Sequence, residues 1–166
     1  MAIEKILVVD DELLMRNFLV EVLKRRKFDV MAAENGKKAL SLLKDNEFDL
    51  VLTDMKMPDI TGIEVLKKVK EISPQTVVVI ITAYGSIESA VEAMRLGAFN
   101  YLIKPFSPDT IEAVIEKADK YISLVEENTY LRKQVSFRGS NTSSKIIGES
   151  AIMKKILEDV KRIAKS

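Results

Sequence analysis

Three acids, a hydroxyl and a lysine stand at the carboxyl ends of short apolar runs in this chain. Asp10-Asp11, with Glu12 behind them, follow Ile6-Leu7-Val8-Val9; Thr53-Asp54 follow Leu50-Val51-Leu52; Thr82-Ala83 follow Val77 to Ile81; Lys104-Pro105 follow Tyr101-Leu102-Ile103. Each has a plain structural reading. Asp10 and Asp11 can cap the helix that follows, Asp54 can open the turn that runs to Gly62, Thr82 can satisfy an N–H at a strand end, Lys104 can be a solvated charge, and Lys104-Pro105 can be a rigid turn. Joint placement is harder to explain that way. Carboxylates gathered at neighbouring strand ends repel one another, and in a low-dielectric cleft the repulsion is costly unless a cation sits among them. Oxygen ligands of this kind suit Mg²⁺, which keeps several waters and takes one or two carboxylates together with phosphate oxygens.

Composition narrows the chemistry further. The 166 residues contain no cysteine and no histidine, which removes disulfides, thiolate and imidazole metal sites, and Cys or Ser-His nucleophile systems. Lys+Arg 26 against Asp+Glu 25 leaves a net charge of +1 and no overall basic field for nucleic acid. No apolar run approaches the ~20 residues of a membrane span, and the amino terminus lacks a signal-peptide core, so a cytoplasmic chain is expected.

The elements that must position these residues are legible as alternation. Five short apolar runs, 5–9, 28–32, 49–52, 76–81 and 100–103, alternate with helical patterns: one carrying Leu14, Phe18, Leu19 and Val22, then 37–45, 62–71 and 86–95, and a fifth after Pro108. The first, third and fourth runs are apolar on both faces, as in a parallel sheet covered by helices on each side. The expectation is an α/β, doubly wound, five-stranded parallel sheet with right-handed crossovers, and ligands in such a sheet bind beyond the carboxyl ends of the strands.

After the sheet the pattern changes. The fifth helix shows no stop until about 135, its inner half carrying Ile111, Ile115, Ala118 and Ile122, and its outer half a 3-4-3-4 seam of Tyr121, Leu124, Asn128, Leu131 and Val135. That seam reads either as chance spacing on a solvated helix or as a short dimeric coiled coil with Asn128 setting register. Residues 136–149, rich in Ser, Asn and Gly, read as a flexible linker, and the last segment, 150–166, as an amphipathic helix over about 150–164 with Ile152, Ile156, Val160 and Ile163 in its stripe.

Residues 3 to about 121 resemble the receiver domain of two-component response regulators. The resemblance rests on Val8-Val9-Asp10-Asp11-Glu12, Leu52-Thr53-Asp54-Met55-Lys56-Met57-Pro58, Gly62, Thr82-Ala83-Tyr84-Gly85 and Tyr101-Leu102-Ile103-Lys104-Pro105-Phe106, in that order and spacing. It implies a flavodoxin-like strand order of 2-1-3-4-5 over 1–121, with Asp54 accepting a phosphoryl group from a sensor histidine kinase. It further implies Mg²⁺ held by Asp11, Asp54 and the backbone carbonyl of Lys56, with Asp10 acting through water; Thr82 and Lys104 contacting phosphoryl oxygens; and Tyr101 moving with Thr82. Thr61 stands where the family often has Asp, and the Lys56 side chain overhangs the site.

Ile146-Ile147-Gly148-Glu149-Ser150, Met153 and Ile163-Ala164 look like the opening of the ATPase domain of NtrC-type activators of sigma-54 RNA polymerase, with Ala151 where Pro is frequent. The implied protein is a non-enzyme switch, homodimeric through 109–135, governing ATPase and DNA-binding domains outside this chain. No GxxxxGK[ST] loop and no helix-turn-helix can be placed here, so direct nucleic-acid binding is not expected. Two other readings are weighed against it. A Mg²⁺-dependent phosphatase with an aspartyl nucleophile would carry an acid at the position of Lys56. A nucleotide or flavin binder would carry a Ser/Thr/Gly-rich loop where Asp10-Asp11-Glu12 stands.

Overall fold

β-branched and leucine-rich segments become strands here because both of their faces are covered. The computed structural model describes residues 1–149 and 151–164; at 138–149, 151–154, 156 and 157 it describes the backbone alone. Strands β1 (Lys5–Val9), β2 (Asp29–Ala33), β3 (Leu50–Asp54), β4 (Val77–Thr82) and β5 (Asn100–Ile103) alternate with helices α1 (Leu13–Arg25), α2 (Gly36–Asp45), α3 (Gly62–Ile72) and α4 (Ile87–Arg95), followed by α5 (Pro108–Glu149) and α6 (Ala151–Ile163). The sheet is parallel throughout, in the order β2-β1-β3-β4-β5, as expected. Register places Val9 beside Thr53, Asp54 beside Ile81 and Thr82 beside Ile103, so the carboxyl ends of the four strands that carry the chemistry finish along one edge.

Two cores form because side chains alternate across the pleat. Ile6, Val8, Leu50, Leu52, Val79 and Ile81 pack with Leu19 and Leu23 of α1 and Ile111, Ile115 and Ala118 of α5. Leu7, Val9, Val51, Val78 and Ile80 pack with Ala39 and Leu43 of α2, Val65 and Leu66 of α3 and Ala93 of α4. Every residue of β3 and β4 is buried. The apolar face of α1 is rotated relative to the expected stripe: Leu14 is 84% exposed, while Met15, Phe18, Leu19, Val22 and Leu23 face the core, the set that 3.6-residue periodicity brings together once Leu19 and Leu23 are anchored.

Helix starts follow local chemistry in α2, α3 and α4 and fail to in α1. The Asn35 side chain accepts from Lys38 N–H, Thr61 forms a reciprocal cap with Glu64, and Ser86 forms one with Ser89. In α1 the capping position is Glu12, whose side chain makes no cap bond, so neither Asp10 nor Asp11 caps this helix. Asp10 is spent elsewhere.

The chain divides into two units, Met1–Ser123 and Leu124–Ser166. In the second, the backbone of α5 continues through 136–149, where a flexible linker is expected. Ser and Asn are weak helix formers rather than breakers, each costing well under ~1 kcal/mol relative to Ala; Gly139 and Gly148 cost about 1 each, and no proline interrupts 109–149. Along the described outer part of α5, Leu124, Leu131 and Val135 are exposed. α6 covers the expected last helix; the side chains of Ile152 and Ile156 lie outside the described residues, as does Ser150. Among the described residues no helix is long and apolar enough to cross a membrane.

Candidate functional site

The sheet edge gathers Asp10, Asp54, Thr82 and Lys104. Asp10 leaves β1 fully buried: its Oδ1 accepts the backbone N–H of Glu12 at 2.9 Å, and the Arg16 guanidinium donates to its carbonyl at 2.7 Å. Asp54 ends β3, only 6% exposed, with Oδ2 accepting the N–H of Lys56 at 3.0 Å. Lys104 follows β5, its N–H donating to the carbonyl of Thr82 at 2.7 Å, and the Lys104-Pro105 peptide is cis. From there the ammonium reaches both acids, 2.9 Å from Asp54 Oδ1 and 3.1 Å from Asp10 Oδ2. The Lys104 side chain is 10% exposed, so the reading of a solvated charge does not apply.

Thr82, buried at the end of β4, accepts the N–H of Tyr84 at 3.1 Å, which is the strand-end role its hydroxyl can play. Tyr101 lies on β5 beside Ile80, half-buried, with its hydroxyl 2.7 Å from Ser89 Oγ. Asp11 is exposed and stands outside the Asp10–Asp54–Lys104 cluster, and Lys56 is exposed with its ammonium 5.1 Å from the centre of the Tyr84 ring. Sequence reasoning missed Ser89 and Tyr84 as partners. Ser89 carries a weak signal, as the third residue of a helix that starts with a serine cap; Tyr84 stands two residues beyond Thr82 as Lys56 stands two beyond Asp54.

One ammonium does not compensate for two carboxylates taken out of water. Burial pushes the Asp54 carboxyl above its ordinary value, Lys104 pulls it back only in part, and the neighbouring Asp10 pushes it up again. Burial likewise raises Asp10 against the opposing bonds from Glu12 N–H and Lys104. Burial lowers Lys104, but the two acids outweigh that and hold it protonated. The chemistry of the donors fits a divalent cation: hard carboxylate oxygens with an unbalanced negative charge, and the backbone of Lys56 drawn against one of them. Among the described residues no group of three or more His, Cys, Asp or Glu is already spaced to hold a metal.

A stability prediction follows from the raised acids. A carboxyl raised on folding binds more protons in the native than in the unfolded state, so its ionisation costs stability as pH climbs from the ordinary carboxylate range through the raised value. Asp10→Asn keeps the acceptor for Glu12 N–H and removes one of the two charges. In metal-free buffer the variant is expected to unfold about 4 °C higher than the parent near pH 7, equivalent to roughly 1 kcal/mol, with the difference shrinking toward about pH 4. Thermal unfolding followed by circular dichroism checks this; a variant no more stable than its parent near pH 7 contradicts it.

The sequence and fold have counterparts. Residues 6–116 match the family described as the response regulator receiver domain. The regulatory protein AtoC of Escherichia coli K12 is 38% identical over 165 residues, 99% of this chain and 35% of its own length. The sporulation initiation phosphotransferase F of Bacillus subtilis is 41% identical over 114 residues, 69% of this chain and 92% of its own length. The crystal structure of NtrX from Brucella abortus superposes with a TM-score of 0.74 at 30% identity, over 98% of this chain and 35% of that one. The chain therefore spans about a third of the length of AtoC and of NtrX. With its family match over most of the sheet and its acids, hydroxyl and lysine at that sheet's carboxyl edge, the chain belongs to the response regulator receiver family.

Proposed function

We propose that Asp54 is the phosphoacceptor of a two-component signalling switch. The observation that carries this reading is the Lys104 ammonium, seated between Asp54 and Asp10 at the carboxyl edge of the sheet, with the Thr82 hydroxyl on the next strand. In the reaction, an Asp54 oxygen bonds to phosphorus as the P–N bond of a phosphohistidine on a sensor histidine kinase breaks. The electron pair stays on the imidazole nitrogen. Such transfer needs positioning and charge stabilisation more than covalent help. Lys104 and Thr82 meet the phosphoryl oxygens. Asp11, Asp54 and the Lys56 carbonyl would hold Mg²⁺, with Asp10 acting through water; such an ion would neutralise charge on the transferring group. The phosphatase alternative is disfavoured because the position of its acid is Lys56, whose side chain lies over Tyr84.

Thr82 and Tyr101 form the movable element. The Thr82 hydroxyl now accepts from Tyr84 N–H, and a phosphoryl group on Asp54 offers it a charged partner in one state only; the Tyr101 hydroxyl, now on Ser89, is released to follow. Inverting a 1:99 population takes about 5.5 kcal/mol of such differential contact. Intact-mass measurement with Mg²⁺ and an acyl-phosphate donor is expected to show one phosphoryl group on the parent and on Thr82→Ala, and none on Asp54→Asn. Only the parent should show a full phosphate-dependent conformational shift. An undiminished label on Asp54→Asn overturns the assignment, and an unchanged shift in Thr82→Ala overturns the coupling.

The switch is cytoplasmic and belongs to a longer activator of sigma-54 RNA polymerase, acting on ATPase and DNA-binding domains through a homodimer joined along 109–135. Support comes from the exposed Leu124, Leu131 and Val135 of α5, whose burial is worth roughly 1.5–3 kcal/mol for each large side chain, and from relatives about three times as long as this chain. In sedimentation at micromolar concentration the parent is expected to be dimeric and Leu124→Asp/Leu131→Asp monomeric; a monomeric parent or a fully dimeric double variant rules the seam out.

A further inference from the structure

The loop 55–61 between β3 and α3 carries Lys56, whose backbone carbonyl the reading above assigns to the metal. Its inner end is anchored at the sheet: Lys56 N–H donates to Asp54, Gly62 N–H donates to the Met55 carbonyl at 2.9 Å, and Met57 is buried in the core. Only a glycine fits at 62, because a Cβ there would fall 2.2 Å from the Asp54 carbonyl oxygen. The tip of the loop is tied in the other direction, across to α2. Asp59 Oδ1 accepts the N–H of Gly36 at 3.2 Å and Oδ2 the N–H of Lys37 at 2.8 Å. At Gly36 a Cβ would stand 2.6 Å from the Cβ of Ile60, so the close approach of helix and loop is built into both partners.

The first turn of α2 is thus capped twice, from two places in the sequence. Asn35 takes Lys38 N–H locally, at 2.8 Å, and Asp59 takes the two preceding N–H groups from 22 and 23 residues away. A helix needs its free N–H groups satisfied, but a local residue or water can do that. The remote carboxylate adds something a local cap cannot, a fixed distance between α2 and the phosphoacceptor loop. Desolvation is the largest single influence and raises Asp59, yet the backbone N–H groups of Lys37, Ile60, Gly36 and its own residue together outweigh it and hold its carboxyl below the ordinary value.

We propose that Asp59 is a positioning residue that clamps the loop 55–61 to the start of α2 and thereby presents the Lys56 carbonyl to the metal. The inference rests on the phosphoacceptor reading. A carbonyl held in place before the ion arrives spares the ordering cost of assembling that ligand, and outer groups that orient metal ligands change affinity by about 10–100-fold.

The test compares three variants of the full chain, titrated with Mg²⁺ alone by calorimetry, with amide exchange at Lys56 and Met57 followed by NMR. Asp59→Ala is expected to weaken Mg²⁺ about tenfold and to speed exchange at Lys56 by a similar factor. Asp59→Asn, retaining one acceptor, should recover part of both. Asn35→Ala removes the local cap of the same helix turn, so it should lose comparable thermal stability while keeping Mg²⁺ affinity and Lys56 exchange within about twofold of the parent. Parent-like affinity and exchange in Asp59→Ala overturn the clamp, as does an equal loss in Asn35→Ala. A parent that takes up no Mg²⁺ overturns the reading of the site instead, and Lys56 exchange then decides the clamp by itself.

Discussion

The Lys104 ammonium, shared between Asp10 and Asp54, is the interaction around which the site is arranged. It lies 2.9 Å from one carboxylate and 3.1 Å from the other, among groups almost wholly removed from water. Burial raises both acids, the Lys104 ammonium pulls them back only in part, and two carboxylates against one ammonium leave a net negative charge in the cluster. A group arriving with positive charge is favoured there.

The fold serves this constraint by topology. The order β2-β1-β3-β4-β5 puts the ends of β1 and β3 side by side, which no arrangement in sequence order would do, and adds β4 and β5 on the same edge. Strands buried on both faces cannot slide without moving Leu7, Val51 or Val78 out of one core and Ile6, Leu52 or Val79 out of the other. The positions of Asp54 and Thr82 at the last rung are therefore fixed by packing many residues away.

Much of this was legible from residue types. β-branched runs marked the strands, and the acids, Thr82 and Lys104 stood out because they fall together at the carboxyl ends of apolar runs, where like charges repel. Pairings across the chain were not legible. The Tyr101–Ser89 hydroxyl contact, the Lys56 ammonium over Tyr84, and the Asp59 carboxylate on Gly36 and Lys37 depend on loop geometry that side-chain type does not encode. Residues 136–149 misled in the opposite sense. Their Ser, Asn and Gly suggest a break, but composition alone does not stop a helix that no proline interrupts.

The direct measurement of the charge imbalance is a carboxyl-carbon NMR titration of Asp10 and Asp54, without and with Mg²⁺. Since the two acids interact, they titrate as a pair. Without metal, the pair is expected to lose its protons above the ordinary carboxylate range of about 3.9, and saturating Mg²⁺ should move that titration downward as cation and proton compete. Titration of both carboxyls at or below the ordinary range in the metal-free protein, with no movement on adding Mg²⁺, would contradict the account.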